Sequence, residues 1–204
     1  MRGGVPGLLG ADGGMRRWLW LSLGVIGAGV IGAVAAGAFA GLFKSGSPGG
    51  GVVHTVVTPA ALGPYKWAPD LDMNIDLSTL ANPVVTMSDG QTSDIRARAY
   101  EKPALGGAPP QVLAFIGGHL AHTSPASSIA TFIHTNPGAY VVPAGPMGGG
   151  AACVEQMAGT AEQAAMCVWF DNDSFGILAS PTLNAANLAN LMVQDRPLIE
   201  LVKK

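Results

Sequence analysis

The longest apolar stretch of the chain runs from Trp18 to Phe43 and contains no charged residue. A helix rises about 1.5 Å per residue, so about 20 apolar residues are needed to cross the hydrocarbon core of a membrane. The stretch is long enough to do so with some tilt. Trp18 and Trp20 at one end and Phe43 at the other are typical of side chains that anchor at the headgroup level. The pattern therefore predicts a transmembrane helix at 18–43.

The charges beside this helix predict its orientation. Arg16 and Arg17 precede it directly, whereas only Lys44 follows it closely. Positive residues are retained preferentially on the cytoplasmic side of a membrane, so residues 1–17 are expected to form a short, disordered cytoplasmic tip. The sequence thus predicts a single-pass protein of the cell membrane, with its N-terminus in the cytoplasm and its C-terminal part outside.

The segment after the helix favours export of one domain. Residues 44–51 are rich in glycine and serine, as in flexible linkers, and the remaining 52–204 are enough for one domain with its own core. An alternative interpretation is a signal peptide cleaved near Ala40, because Ala38-Phe39-Ala40 matches a small-x-small cleavage site. Both interpretations export the same domain.

Short apolar and β-branched segments of the exported domain predict strands, and one segment predicts a helix. Strands are expected at 52–58, 83–87, 95–100, 111–116, 140–143, 151–157, 166–170 and 175–179. Ser124 and Pro125 suit the N-cap and first position of a helix, which is therefore predicted at 124–135. Asn136-Pro137-Gly138 is expected to end it.

The two cysteines lie in neighbouring strand-like segments. If these strands form a hairpin that turns near Thr160, Cys153 and Cys167 stand directly opposite each other, because both positions are equidistant from 160. In an exported domain this arrangement predicts a disulfide between Cys153 and Cys167. Closing a loop of about 15 residues would stabilise the fold by about 3 kcal/mol in the chain-entropy model.

The C-terminal segment predicts a second helix. Ser180-Pro181 repeats the pattern of an N-cap followed by proline, and apolar residues then recur at helical spacing. Pro197 is expected to break or kink this helix before a last turn through Leu201. An antiparallel, disulfide-linked hairpin or meander packed by helices is an α+β fold.

Four residues are candidates for metal binding or catalysis: His119, His122, Asp171 and Asp173. Histidines three apart on a helix can bind zinc, but the glycines before this pair and the proline after it argue against a helix. Asp171, Asp173 and Gly176 match the first, third and sixth positions of a calcium loop, but Phe175 occupies the fifth position and Thr182 the twelfth. The favoured interpretation is loop or surface histidines and a polar turn between two strands, with no metal, cofactor or catalytic residue.

The charges of the chain divide unevenly. Residues 1–45 carry four basic and one acidic residue, a net charge of +3, and the remainder carries seven basic and twelve acidic residues, a net charge of −5. The one close basic set, Arg96, Arg98 and Lys102, is interrupted by Glu101. The exported domain therefore lacks the basic stripe of nucleic-acid-binding proteins, and no nucleic-acid partner is expected.

Three segments carry a resemblance to a known group: AGPMGGGAACV, MCVWFDNDSFGILASP and the terminal RPLIE. They resemble uncharacterised single-pass membrane proteins exported by actinobacteria. In those proteins a glycine-rich loop precedes the first cysteine, and the second cysteine begins a C-x-W-x-D motif that is followed shortly by a glycine. The resemblance covers residues 144–200. It implies an extracytoplasmic location and a bridge between Cys153 and Cys167, and it implies no catalytic residues.

Two classes of function fit these patterns. The favoured one is a non-enzymatic, membrane-tethered extracytoplasmic domain that binds a protein or ligand at the cell envelope. The alternative is an envelope hydrolase or metal-dependent enzyme that uses His119 and His122 with Asp171 or Asp173. Besides contacting the membrane, the segment 18–43 has small residues recurring every four positions, a spacing that permits weak self-association of membrane helices.

Overall fold

A computed structural model describes residues 53–72, 92–104, 106, 109–121, 124–156 and 163–203. The predicted cytoplasmic tip 1–17, transmembrane helix 18–43, linker 44–51 and strand 83–87 lie outside the described residues. Within the described part, no helix is both long and apolar enough to cross a membrane.

The described residues form ten strands and three helices. The strands are β1 (Val53–Val56), β2 (Ala61–Leu62), β3 (Tyr65–Trp67), β4 (Thr92–Lys102), β5 (Gln111–Leu120), β6 (Tyr140–Val142), β7 (Gly150–Gln156), β8 (Ala164–Phe170), β9 (Ser174–Ser180) and β10 (Glu200–Lys203). The helices are α1 (Pro69–Asp72), α2 (Pro125–Thr135) and α3 (Ala185–Ile199). The predicted α+β class is confirmed at this level: a mostly antiparallel sheet with few helices.

In the described part, eight strands form one sheet in the order β2-β3-β4-β5-β9-β8-β7-β6, with every neighbouring pair antiparallel. Helix α2 follows β5, and the chain continues into β6 at the far edge of the sheet. Strands β7, β8 and β9 then return by successive hairpins until β9 pairs with β5. Strands β1 and β10 form a separate two-stranded ribbon.

The sheet has a hydrophobic core on each face, because successive residues of a strand point to opposite sides. On one face, Phe115, Cys167 and Trp169 belong to the same buried cluster as residues of α3. On the other face, Phe175 and Ile177 pack in a second cluster with residues of α2. Strands β8 and β9 are therefore buried on both faces, which explains why β8 and residues 175–179 of β9 lack polar side chains instead of alternating.

The predicted disulfide is confirmed. Cys153 of β7 lies directly opposite Cys167 of β8 in the strand register, and their sulfurs are 2.00 Å apart. Both cysteines are fully buried beneath α3. The residues of the turn between β7 and β8, 157–162, lie outside the described part, and the bridge joins the central one of the seven paired positions of the two strands.

The predicted start of the last helix is wrong. Ser180 is the last residue of β9, and its hydroxyl donates to the carbonyl of Val112 on the neighbouring strand. The same hydroxyl accepts hydrogen bonds from the backbone N–H groups of Thr182 and Leu183. Helix α3 begins later, at Ala185, and its N-cap is Asn184. The sheet therefore keeps Ser180 extended, and the helix uses the next polar residue that can cap it.

The predicted end of that helix is also wrong. Helix α3 continues through Pro197 to Ile199, and the following residues form β10 instead of a last helical turn. The N–H of Val57 donates to the carbonyl of Ile199 at 2.9 Å, so pairing with the β1 segment begins where the helix ends. The helix predicted at 124–135 is confirmed, because α2 starts at Pro125, directly after Ser124. The serine side chain, however, makes no cap hydrogen bond.

Candidate functional site

A polar cluster lies where the β1–β10 ribbon meets the turn between β8 and β9 and the end of α3. Its members are the charged or hydroxyl-bearing side chains His54, Asp171, Asp173, Ser174, Arg196 and Glu200. Arg196, Glu200 and Ser174 are almost completely buried. Charged residues are rarely buried unless they are paired. The hydrogen bonds and ion pairs within this cluster therefore decide whether its side chains are free for chemistry or have a structural role.

The turn between β8 and β9 presents two carboxylates to the ribbon. The N–H of Asp171 donates to the carbonyl of Ser174 at 2.8 Å, which closes the turn and confirms the predicted polar turn at this position. Asp173 accepts two hydrogen bonds from His54, one from its backbone N–H at 2.8 Å and one at its Nδ1 at 2.6 Å. The other ring nitrogen of His54, Nε2, lies 4.0 Å from Asp171 Oδ2. The imidazole is thus held between two carboxylates.

Arg196 links four parts of the fold. Its Nε donates to Glu200 at 2.7 Å, and its Nη2 donates to Asp171 at 3.1 Å. Its Nη1 donates to the carbonyls of Ala144 and Gly148, at 2.9 and 2.6 Å, in the glycine-rich loop before β7. These charge-assisted bonds compensate the burial of the guanidinium and fix the loop against α3.

The second oxygen of Glu200 is also fully engaged. Glu200 Oε1 accepts one hydrogen bond from Trp169 Nε1 and one from the Ser174 hydroxyl, each at 2.7 Å. The Trp169 ring covers Gly176 on the adjacent strand so closely that a Cβ at this glycine would lie 1.9 Å from the ring. Glycine is therefore required at 176, and the indole is locked in the position that binds Glu200.

These bonds define what the polar cluster can do chemically. A serine nucleophile needs a neighbouring base and access to a substrate, whereas Ser174 is fully buried and donates to Glu200. A general-base histidine needs a ring nitrogen that reaches a substrate, whereas both ring nitrogens of His54 face carboxylates. The cluster therefore works as a structural link between the ribbon, the sheet, α3 and the glycine-rich loop.

The structure places the sequence candidates as follows. His119 is half-buried on β5 and pairs with Ser174 in the register, so it lies in a strand. His122 lies outside the described residues. Asp171 and Asp173 come together around His54, which carries no recognisable sequence signal. Arg196 and Glu200 were also missed, although their i,i+4 spacing is a known signal for a helical ion pair. Across the described part of the chain, no group of three or more His, Cys, Asp or Glu residues is arranged to hold a metal ion.

A second feature is an exposed tryptophan at the other end of the sheet. Trp67 on β3 is 45% exposed, and the guanidinium of Arg98 stacks over its ring at 4.3 Å from the centroid. Its Nε1 donates to a carboxylate oxygen of Asp72, whose other oxygen accepts from the N–H of Ala99. Arg98 is itself anchored by donating to the carbonyl of Thr58 at 2.8 Å. We call Trp67, Arg98 and Asp72 the Trp67 platform, because the exposed ring is held in one orientation from two sides.

A third feature is the buried carboxyl of Asp195 on α3. Gly63 donates a backbone hydrogen bond to it, but Oδ2 is the one buried side-chain oxygen or nitrogen of the described residues without a hydrogen-bond partner. Burial raises the pKa of Asp195, and the Gly63 hydrogen bond opposes this only in part. Burial also raises the pKa of the nearby Tyr100, whose hydroxyl donates to the carbonyl of Pro59. Asp195 thus stabilises the turn between β2 and β3 at a desolvation cost.

Comparison with known proteins gives no match: no family model fits the chain, and no curated protein or solved structure matches it significantly.

Proposed function

We propose that this chain is a membrane-tethered, extracytoplasmic domain that binds a protein partner at the cell envelope through the Trp67 platform. The apolar segment 18–43 and the arginines before it support the tether and its orientation. The disulfide between Cys153 and Cys167 supports an oxidising location, since disulfides persist mainly outside the cytoplasm.

The observation that carries the binding proposal is the rigid exposure of Trp67. Tryptophan and arginine are the residues most enriched among interface side chains that dominate binding energy. A side chain that is already held in one orientation loses less conformational entropy on binding. Trp67 meets both conditions, because Arg98 stacks on its ring and Asp72 binds its indole N–H while nearly half of the side chain stays exposed.

The engagement of the polar cluster favours binding over catalysis. An envelope hydrolase or metal enzyme built on His119 and His122 would require Asp171 or Asp173 as a catalytic group or ligand. Asp171 instead accepts from Arg196, and Asp173 accepts twice from His54. The enzyme alternative stays a hypothesis without a specific structural observation in its favour.

Site-specific photo-crosslinking in cells tests the binding proposal. A photoreactive amino acid replaces Trp67 in the full chain, and a matched chain carries it at Tyr140, which is 44% exposed on the opposite edge strand β6. The expected result is a discrete crosslinked protein from position 67 that is absent from position 140. Replacing Arg98 with alanine should weaken this crosslink several-fold, because the residue at 67 then loses the guanidinium that packs against it.

Two results would contradict the proposal. One is the same set of weak crosslinks from both positions, which indicates random collisions. The other is a discrete partner captured only from position 140, which would move the binding surface to the β6 edge.

A further inference from the structure

The β1–β10 ribbon exposes apolar side chains on a well-ordered strand pair. Val53, Leu201 and Val202 are 50%, 47% and 45% exposed, respectively. In the register, Val56 lies opposite Glu200, and both are buried, so their common face points to the core. Val53 and Leu201 are each an odd number of residues from this pair and therefore lie on the outward face. We call Val53 and Leu201 the ribbon patch; Val202 lies on the same side of β10 as Glu200 and is not part of it.

The ribbon patch belongs to a fixed part of the fold. Asp173 accepts two hydrogen bonds from His54, the residue that follows Val53. The N–H of Val57 extends the pairing by donating to Ile199. The exposure of Val53 and Leu201 on one face of this ribbon is thus a property of the folded domain, and it leaves both side chains open to contact with a partner surface.

The position of the ribbon patch along the chain points to the membrane as that partner. Only residues 44–52 separate Phe43, the end of the predicted transmembrane helix, from Val53. If these nine residues form the linker that their composition predicts, their ends lie about 17 Å apart on average and at most about 30 Å apart. The patch is therefore held close to the bilayer surface if the predicted helix spans it.

Charge adds to this argument. The sequence places Lys203 and Lys204 directly after Val202, within an exported part whose net charge is −5. A lysine close to an anionic lipid surface favours membrane association through electrostatic attraction. Because the tether makes docking intramolecular, even weak apolar and ionic contacts suffice to hold the domain in place.

We infer that the ribbon patch docks onto the headgroup layer of the membrane that carries the tether, with anionic phospholipid as its ligand. This inference rests on the proposed membrane topology. The docked ribbon fixes the orientation of the domain, so the tether sets the distance from the bilayer and the patch sets which surface faces away from it.

Depth-dependent fluorescence quenching tests the inference. The full chain is reconstituted in vesicles of phosphatidylcholine and phosphatidylglycerol, with an environment-sensitive dye on Leu201→Cys or, as matched control, on Tyr140→Cys. The two native cysteines are bonded to each other, so the added thiol is labelled selectively. A quencher attached to the lipid near the headgroup is expected to quench the dye at 201 several-fold more than the dye at 140. Adding Val53→Asp should reduce quenching at 201 towards the control.

Alkaline extraction of the same vesicles separates this inference from the proposed tether. If the chain resists extraction but positions 201 and 140 are quenched equally, docking is wrong and the tether stands. If the chain is extracted and neither position is quenched, both are wrong. If the chain is extracted but position 201 was quenched beforehand, docking is supported without the tether. Equal quenching at 201 in pure phosphatidylcholine would overturn the assignment of anionic lipid as the ligand.

Discussion

At the scale of single residues, Asp195 is the side chain whose environment fits it least. Its carboxyl is buried under the turn between β2 and β3, with one oxygen that lacks a hydrogen-bond partner among the described residues. The carboxyl nevertheless has a structural role, because it accepts a hydrogen bond from the backbone N–H of Gly63. Gly63 has a φ of +49°, a conformation that favours glycine, so the turn has few alternatives to this arrangement.

The raised pKa of Asp195 predicts a pH-dependent stability. The folded state binds this proton more tightly than the unfolded state, so the contribution is fully present below the unfolded pKa of about 3.9 and is lost as pH rises through the folded pKa. Asp195→Asn keeps an acceptor for Gly63 without the buried charge, and should raise the free energy of unfolding at neutral pH by about 1 kcal/mol. Urea unfolding at several pH values measures this.

The matched control for this prediction is Gln194→Asn, at the exposed and uncharged neighbour of Asp195 on α3. It should leave the pH profile close to that of the wild type. An Asp195→Asn variant that is less stable at neutral pH, with an unchanged pH slope, would show that the charge of Asp195 is compensated and that our account of this residue is wrong.

At the scale of secondary-structure elements, Asp173 in the β8–β9 turn is one of the residues that hold the ribbon to the sheet. Asp173→Ala removes both hydrogen bonds to His54, each made to a charged acceptor. We expect amide exchange in β1 and β10 to accelerate by about tenfold or more, while β7 and β8 keep their protection. Hydrogen–deuterium exchange followed by mass spectrometry resolves these segments.

Asn172→Ala, at the exposed neighbour of Asp173 in the same turn, is the control and should leave the ribbon protected. Equal acceleration across β7, β8 and the ribbon after Asp173→Ala would mean that the whole fold loosens, and would refute a specific role in holding the ribbon.

The elements that sequence reasoning found are those with local signals. The position of α2 followed from Ser124-Pro125, and the pairing of Cys153 with Cys167 followed from the symmetry of a hairpin. The start of α3 was misplaced because Ser180 binds Val112, a residue 68 positions away that no local pattern reveals. The local pattern of a serine followed by a proline predicts the start of a helix, whereas in the structure the same serine is the last residue of a strand.

The polar cluster was beyond the reach of sequence patterns for the same reason. His54 and Asp173 are separated by 119 residues, and His54 lies in a strand whose other residues carry only a β signal. Asp171 and Asp173 were recognised as candidates, but the residues that engage them were not. Among the ion pairs of the cluster, only Arg196–Glu200 joins residues that are close in the sequence.

At the scale of the whole molecule, the ribbon, the disulfide-linked hairpin and the Trp67 platform all belong to the part of the chain that follows the predicted transmembrane helix. The predicted helix and linker lead to Val53, where the ribbon begins, and the polar cluster fixes the ribbon to the sheet. The disulfide strengthens the β7–β8 hairpin beneath α3, and the Trp67 platform lies on the β2–β3 side of the sheet. The proposed function needs the ribbon, the disulfide-linked hairpin and the Trp67 platform on the outer side of the membrane.

The topology of the full chain in intact cells is therefore the most direct test. Single added cysteines at Gly4, in the predicted cytoplasmic tip, and at Tyr140, in the domain, are treated with a membrane-impermeant thiol reagent before and after the membrane is opened. If the proposed topology is correct, the reagent labels Tyr140→Cys in intact cells and Gly4→Cys only after the membrane is opened. Labelling of Tyr140→Cys only after opening would place the domain inside the cell and contradict the proposed function.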